Sequence, residues 1–137
     1  MKRSVPMFVG SLSWVLLCSL ASDGQGYLTR TESNLRRLAT KTVMPDYPPR
    51  SAKNRATGVS VTELEINEAG NVERVDVLQA PDEYIEAALI NAISRWKFEP
   101  SMHKGRAWRV KGKLTFYFVV ERGKARVMNP KFPAQAR

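Results

Sequence analysis

Residues 82–100, DEYIEAALINAISRWKFEP, predict an amphipathic helix that ends in an aromatic segment. Asp82 suits the N-cap, because its carboxylate can accept a hydrogen bond from an amide of the first turn. Apolar side chains then recur with the helical period at Ile85, Ala88, Leu89, Ala92, Ile93 and Trp96. Trp96 and Phe98 close one end of the core, and Pro100 ends the run. We therefore predict a helix over about Asp82 to Trp96, packed on a small antiparallel sheet.

A β-hairpin is predicted upstream of this helix. Residues 59–66 are rich in β-branched types, Gly70 suits a turn, and residues 72–79 return as a second strand. The apolar residues of the first strand do not keep one parity along it. We interpret this pattern as partial cover on both faces, with a bulge as the alternative.

The last predicted strand covers residues 108–120 and alternates regularly. Its core face is apolar and consists of Trp108, Val110, Leu114, Phe116, Phe118 and Val120. Its other face is polar and largely cationic, with Arg109, Lys111, Lys113, Thr115 and Tyr117. The predicted fold is α+β, a two-layer domain with a three-stranded antiparallel sheet (β-β-α-β) and one long helix across one face. Such a sheet has two open edges, and the last strand can accept an added peptide strand along one of them.

The sequence predicts no catalytic or metal-binding set. His103 is the only histidine and Cys18 the only cysteine, and no Gly-rich phosphate loop is present. The acidic side chains at Glu63, Glu65 and Glu68 fit solvated strand and turn positions better than acid–base roles. We predict a non-enzyme that uses no cofactor and no metal.

The net charge of +9 is concentrated partly in a basic run made of Lys104, Arg106, Arg109, Lys111 and Lys113. This run fits an anionic partner, or a solvated strand face that pairs with Glu63 and Glu65 across the sheet. We favour the ion pairs. Nucleic acid is not a predicted partner, since Tyr117 is the only aromatic side chain expected on that face for base stacking.

The N-terminal 21 residues predict export. A basic start, an apolar run and small residues at Ser19 and Ala21 are typical of a secretory signal peptide. An uncleaved anchor and a lipidated Cys18 are the alternatives, and only these would attach the protein to a membrane. The predicted organisation is a signal peptide (1–21), a flexible leader (22–44), the folded domain (45–121) and a disordered basic tail (122–137).

Several short motifs are spread along residues 44–120: Tyr47-Pro48, Gly58-Val59-x-Val61, Leu64-x-Ile66, Gly70-x-Val72, Ala88-Leu89-x-x-Ala92-x-x-x-Trp96-x-Phe98-x-Pro100, Gly105 and Phe116-x-Phe118. Together they resemble the C-terminal domain of TonB-family energy transducers. The ending Trp96-x-Phe98-x-Pro100 after an alanine-rich helix is the most specific part of the likeness.

The resemblance implies that the domain contacts outer-membrane TonB-dependent receptors. In that family the last strand pairs with the extended N-terminal segment of a receptor. By position, the docking edge would be Arg109 to Tyr117, with the domain entrance nearby. The implied partner-binding residues are Arg109, Lys111, Lys113, Thr115, Tyr117, Tyr47 and Pro48.

Full transducers of that family also carry a membrane anchor and a long proline-rich spacer. Here about 25 residues separate the predicted signal from Tyr47, which span at most roughly 85 Å. We therefore predict a periplasmic domain, linked to transmembrane transport, that binds a receptor or another extended periplasmic peptide by strand addition. The alternatives are an inner-membrane-anchored transducer that drives uptake and a structural periplasmic interaction module. Self-association through the last strand also stays open.

Overall fold

The computed structural model describes residues 26–129, so the predicted signal peptide and the last part of the predicted tail lie outside the described residues. In chain order the elements are β1 (Leu28–Arg30), α1 (Glu32–Leu38), β2 (Ala39–Lys41), α2 (Pro49–Lys53), β3 (Gly58–Ile66), β4 (Val72–Gln79), α3 (Glu83–Ile93), β5 (Lys97–Phe98), β6 (Ser101–His103), β7 (Arg106–Trp108), β8 (Val110–Glu121) and β9 (Lys124–Met128).

Helix α3 confirms the predicted amphipathic helix, although it is shorter. Asp82 caps it, because its Oδ1 accepts from the Ile85 amide at 2.8 Å. The helix ends at Ile93, since the amides of Arg95 and Trp96 bond to carbonyls three residues earlier and tighten the last turn. The core-facing side chains of this segment are buried: Ile85, Leu89, Ala92, Ile93, Trp96 and Phe98.

The main sheet places β3 between β4 and β8, and both pairings are antiparallel. The mixed α+β fold is as predicted. The predicted three-stranded sheet is wrong in strand number, because the sheet has five strands. Both extra strands lie on β8, where β1 pairs in parallel and β9 antiparallel. Within residues 26–129, the outer edge of β4 carries no strand partner in this sheet.

The predicted leader is folded over much of its described length. It forms β1, α1 and β2, and Leu35 of α1 is fully buried in the core. Its leucines are sparse in sequence, but Gly112 of β8 leaves room for the Leu35 side chain. The prediction of a flexible segment over residues 28–41 is therefore wrong.

The predicted tail also begins with regular structure. Arg122 and Gly123 both adopt positive φ, at 51° and 74°, and this geometry suits a two-residue hairpin turn. Strand β9 therefore folds back along β8 from Tyr117 to Glu121. The sheet extends past the predicted boundary at residue 121.

The burial pattern of β3 accounts for the irregular placement of apolar residues along its sequence. Ser60, Thr62, Leu64 and Ile66 are buried, whereas the alternate positions Val59, Val61, Glu63 and Glu65 are half-buried. The pairing with β4 also shifts register twice, between Val61 and Thr62 and between Glu65 and Ile66. Partial cover of both faces and local irregularity, which were alternative interpretations, therefore occur together.

Candidate functional site

The outer edge of β8 is the surface implied as the docking edge, and the fold fills much of it from within. β1 lies along its start, where Leu28 pairs with Val110 and Arg30 pairs with Gly112. β9 lies along its end, from Tyr117 onward. Among the described residues, only positions 113–116 of this edge lack a strand neighbour.

Two side chains of α1 occupy this gap. Glu32 Oε1 accepts a hydrogen bond from the Thr115 amide at 2.8 Å, and Arg36 Nη2 donates to the Thr115 carbonyl at 2.8 Å. The two side chains are also paired with each other at 2.8 Å. The Arg36 guanidinium lies 5.1 Å from the centre of the Phe116 ring. Glu32 and Arg36, which we call the clasp, thus supply the acceptor and donor that a neighbouring strand would offer.

The expectation that β8 has free backbone groups along its outer edge is therefore wrong. At Thr115 those groups bond to the clasp, and at the two ends of β8 they face β1 and β9. The reason is physical: an unpaired strand edge invites aggregation, and native folds cover it with a helix, a loop or another strand.

The cationic face of β8 forms the predicted ion pairs at Lys111. Its Nζ lies 3.1 Å from Glu63 Oε1 and 3.6 Å from Glu65 Oε1 on the neighbouring strand. The hydrogen bond to Glu63, together with the charges of both carboxylates, raises the pKa of Lys111 above its ordinary value. This side chain is thus engaged within the sheet.

Arg109 is engaged in the same way. Its guanidinium pairs with Glu73 and lies 3.8 Å from Glu68. Tyr27, which precedes β1, lies under the cations, with its ring centre 5.8 Å from the Arg109 guanidinium and 6.0 Å from Lys111 Nζ. Arg109 and Lys111 are therefore paired with carboxylates of β3, β4 and the turn between them, while β1 lies along the outer edge.

Lys113 and Tyr117 remain accessible on this face. Lys113 is exposed, and Tyr117 is 37% exposed beside its β9 partner Met128, which is 42% exposed. Four of the five implied residues lie on β8 and Arg109 directly precedes it, but the five differ in availability. Thr115 is the one whose backbone meets the clasp.

Tyr47 and Pro48 lie apart from this edge. The Tyr47 ring packs edge-on against Phe118 at 5.4 Å, and its hydroxyl donates to the Ala56 carbonyl. Burial raises the pKa of this hydroxyl, and the negative charge of Asp82 raises it further. Pro48 lines a groove beside α3. Both residues contribute to the helix side of the domain.

Sequence reasoning missed Glu32, Arg36 and Tyr27. A local signal existed, because Glu32 and Arg36 stand four residues apart, a spacing that brings opposite charges together on a helix. Thr31 also suits an N-cap, and its hydroxyl oxygen accepts from the Asn34 amide at 3.4 Å. Their contact with β8 spans about 80 residues of sequence, so no local pattern could reveal it.

Residues 26–129 offer neither a metal-ligand cluster nor a membrane-spanning helix. No cluster of three or more histidine, cysteine, aspartate or glutamate residues there could hold a metal ion. None of the helices in that range combines the length and the apolar content needed to cross a membrane.

The domain is similar to known proteins in its sequence and in its fold. The solution NMR structure of the Pseudomonas aeruginosa TonB CTD matches with a TM-score of 0.52 and 21% sequence identity, over 61% of this chain and 86% of that chain. No curated protein sequence matches the chain. The family described as the Gram-negative bacterial TonB protein C-terminal matches residues 43–120, which is more than half of the chain. The chain therefore belongs to the TonB C-terminal domain family.

Proposed function

We propose that the protein is a periplasmic binding domain, and not an enzyme, that takes an extended peptide segment onto the outer edge of β8. The partner is the N-terminal segment of an outer-membrane TonB-dependent receptor, and the binding serves transmembrane transport. Membership of the TonB C-terminal family supports receptor interaction in general. The geometry of β8 supports strand addition as the mode.

The observation that carries this proposal is the hydrogen bonding of the Thr115 backbone. Its amide and carbonyl both point away from β3 and bond to side chains, Glu32 and Arg36, at 2.8 Å. An incoming strand can replace these two bonds with backbone bonds of the same polarity, so no buried polar group loses its partner. Strand addition at this position would replace two side-chain hydrogen bonds of the Thr115 backbone with two backbone hydrogen bonds.

The neighbouring side chains support recognition of an extended peptide. Lys113 is exposed at the start of the gap formed by positions 113–116, and Tyr117 presents an accessible ring just after its end. A cation and an aromatic ring two strand positions on either side of Thr115 can contact alternate side chains of an added strand. Backbone bonds would supply much of the affinity, and these side chains would add selectivity.

The variant Thr115→Pro tests this mode. Proline lacks the amide donor, and it is tolerated in a strand only where that amide faces outward, as it does here. We expect it to weaken binding of a synthetic peptide, taken from the N-terminal segment of a TonB-dependent receptor of the same bacterium, by at least about tenfold in isothermal titration calorimetry.

Thr115→Val is the matched control. It removes the same hydroxyl but keeps the backbone amide, so we expect it to bind the peptide within about twofold of the unaltered chain. Circular dichroism melts would verify that both variants are folded. Equal affinity of the two variants would contradict strand addition at Thr115.

A further inference from the structure

The segment before β2 covers the proposed binding edge. Residues 26–38, which we call the strap, contribute β1 along Val110 to Gly112 and the clasp at Thr115. An incoming strand would need the same backbone atoms of β8. The strap and a bound peptide cannot occupy this edge at the same time.

The strap lies outside the part of the chain that the family model matches. The family match begins at residue 43, after the strap has ended, and it extends to residue 120, so it includes nearly all of β8. The matched region thus contains nearly all of the edge, whereas the strap precedes it.

The contacts of the strap suit a segment that can open. β1 is a strand of three residues, and within α1 only Leu35 is buried. Leu35 lies over Gly112, where a Cβ atom would approach Leu35 Cδ1 to 2.5 Å and the Arg30 carbonyl oxygen to 2.9 Å. Leu35 and Arg30 of the strap therefore pack directly against the Gly112 backbone, and this part of β8 would become exposed if the strap opened.

A hinge is available where the strap ends. β2 pairs with β5, and the Glu99 amide bonds to the Leu38 carbonyl at 2.8 Å. The Trp96 indole also holds the Val43 carbonyl at 2.8 Å. These contacts hold the chain from Leu38 onward, so opening would move β1 and α1 and would withdraw one fully buried side chain, Leu35, from β8.

We infer that the strap is an intramolecular competitor that closes the β8 edge and must be displaced when a peptide strand binds. This inference rests on the proposed function. It predicts that affinity for the peptide depends on the fraction of molecules in which the strap is open, because only those molecules can bind.

A reversible cross-link tests the inference. Thr29 and Lys111 are register partners in β1 and β8, a separation that a disulfide can bridge. In a chain that also carries Cys18→Ser, the pair Thr29→Cys and Lys111→Cys locks the strap when oxidised and frees it when reduced. We expect the oxidised form to bind the receptor peptide at least about tenfold more weakly than the same protein after reduction.

The variant Lys111→Cys alone, treated with the same oxidant, controls for oxidation and for loss of the lysine. A second variant, Glu32→Gln, removes the negative charge of the clasp and weakens its ion pair with Arg36, and it is expected to tighten peptide binding roughly threefold to tenfold. Thr29→Ala, an exposed change in the same segment, is its matched control.

The outcomes separate the two ideas. Equal binding by the oxidised and reduced forms, with Thr115→Pro still defective, would overturn the strap inference and leave the β8 site intact. Absence of binding by the reduced double variant and by the unaltered chain would overturn the proposed function itself. An unchanged or weaker affinity of Glu32→Gln would also count against the strap as a competitor.

Discussion

Trp96→Ala is expected to lower the free energy of unfolding by about 3–5 kcal/mol, the range typical of a large aromatic side chain removed from a core. Trp96 is 2% exposed and packs against Phe98 and Phe116, with ring centres 6.0 Å and 6.3 Å away. Its indole N–H also donates to the Val43 carbonyl at 2.8 Å. The truncation therefore opens a cavity and leaves a carbonyl without its donor.

Urea denaturation followed by circular dichroism would measure this loss. Trp108→Ala is the matched control, because Trp108 is half-buried and packs on His103 in the small β6–β7 hairpin. We expect the control to lose less than about 1.5 kcal/mol. Equal losses at the two tryptophans would contradict the assignment of Trp96 as the residue that closes the core.

Gly70→Ala is the second change with a large expected effect. Gly70 has a φ of +86°, and a Cβ atom there would lie 1.9 Å from the Phe98 carbonyl oxygen and 2.9 Å from its carbon. The Phe98 amide also bonds to the Gly70 carbonyl at 2.9 Å, so the two backbones are held together. We expect a loss of at least about 3 kcal/mol, since backbone must move in addition to the strain of the positive φ.

Gly123→Ala separates these two contributions. Gly123 also has a positive φ, of +74°, but a Cβ atom there would meet nothing within 4 Å. The substitution should therefore cost only the conformational strain, roughly 1–2 kcal/mol. Chemical denaturation of both variants would give the comparison. A Gly70→Ala loss no larger than that of Gly123→Ala would contradict the close approach of the hairpin turn to Phe98.

The secondary structure of the central domain could be predicted because its apolar periods are strong. The helical register from Ile85 locates α3, and the alternation along residues 110–120 locates β8. The predicted start of that strand is wrong, because Trp108 belongs to β7 and is half-buried. The ion pairs of Lys111 with the glutamates of β3 also followed, because the strand order fixed which charges face each other.

The cover on the β8 edge could not be predicted in this way. Leu35 is a single leucine in a polar segment, and it is buried only because Gly112, far away in sequence, leaves space for it. The local sequence around Leu35 does not indicate that a distant glycine leaves space for this side chain. The clasp has a helical spacing of its own, but its contact with Thr115 depends on where α1 lies on the sheet.

β9 was missed for a similar reason. Its sequence, Lys124 to Met128, contains two basic residues, and only Ala125 and Val127 are half-buried. The alternation is too short and too weakly apolar to predict a strand by itself. It becomes a strand because β8 offers an edge and the turn at Arg122 and Gly123 returns the chain to it.

The most direct test of the account is the location of a bound receptor peptide on the sheet. Isotope-filtered NMR of the labelled chain with the unlabelled peptide would report which backbone amides lie within NOE distance of the peptide. We expect contacts from the peptide to the amides of Lys113 and Thr115 on β8, together with loss of the contacts between β1 and β8. Contacts confined to the open edge of β4, residues 72–79, with β1 still paired to β8, would contradict it.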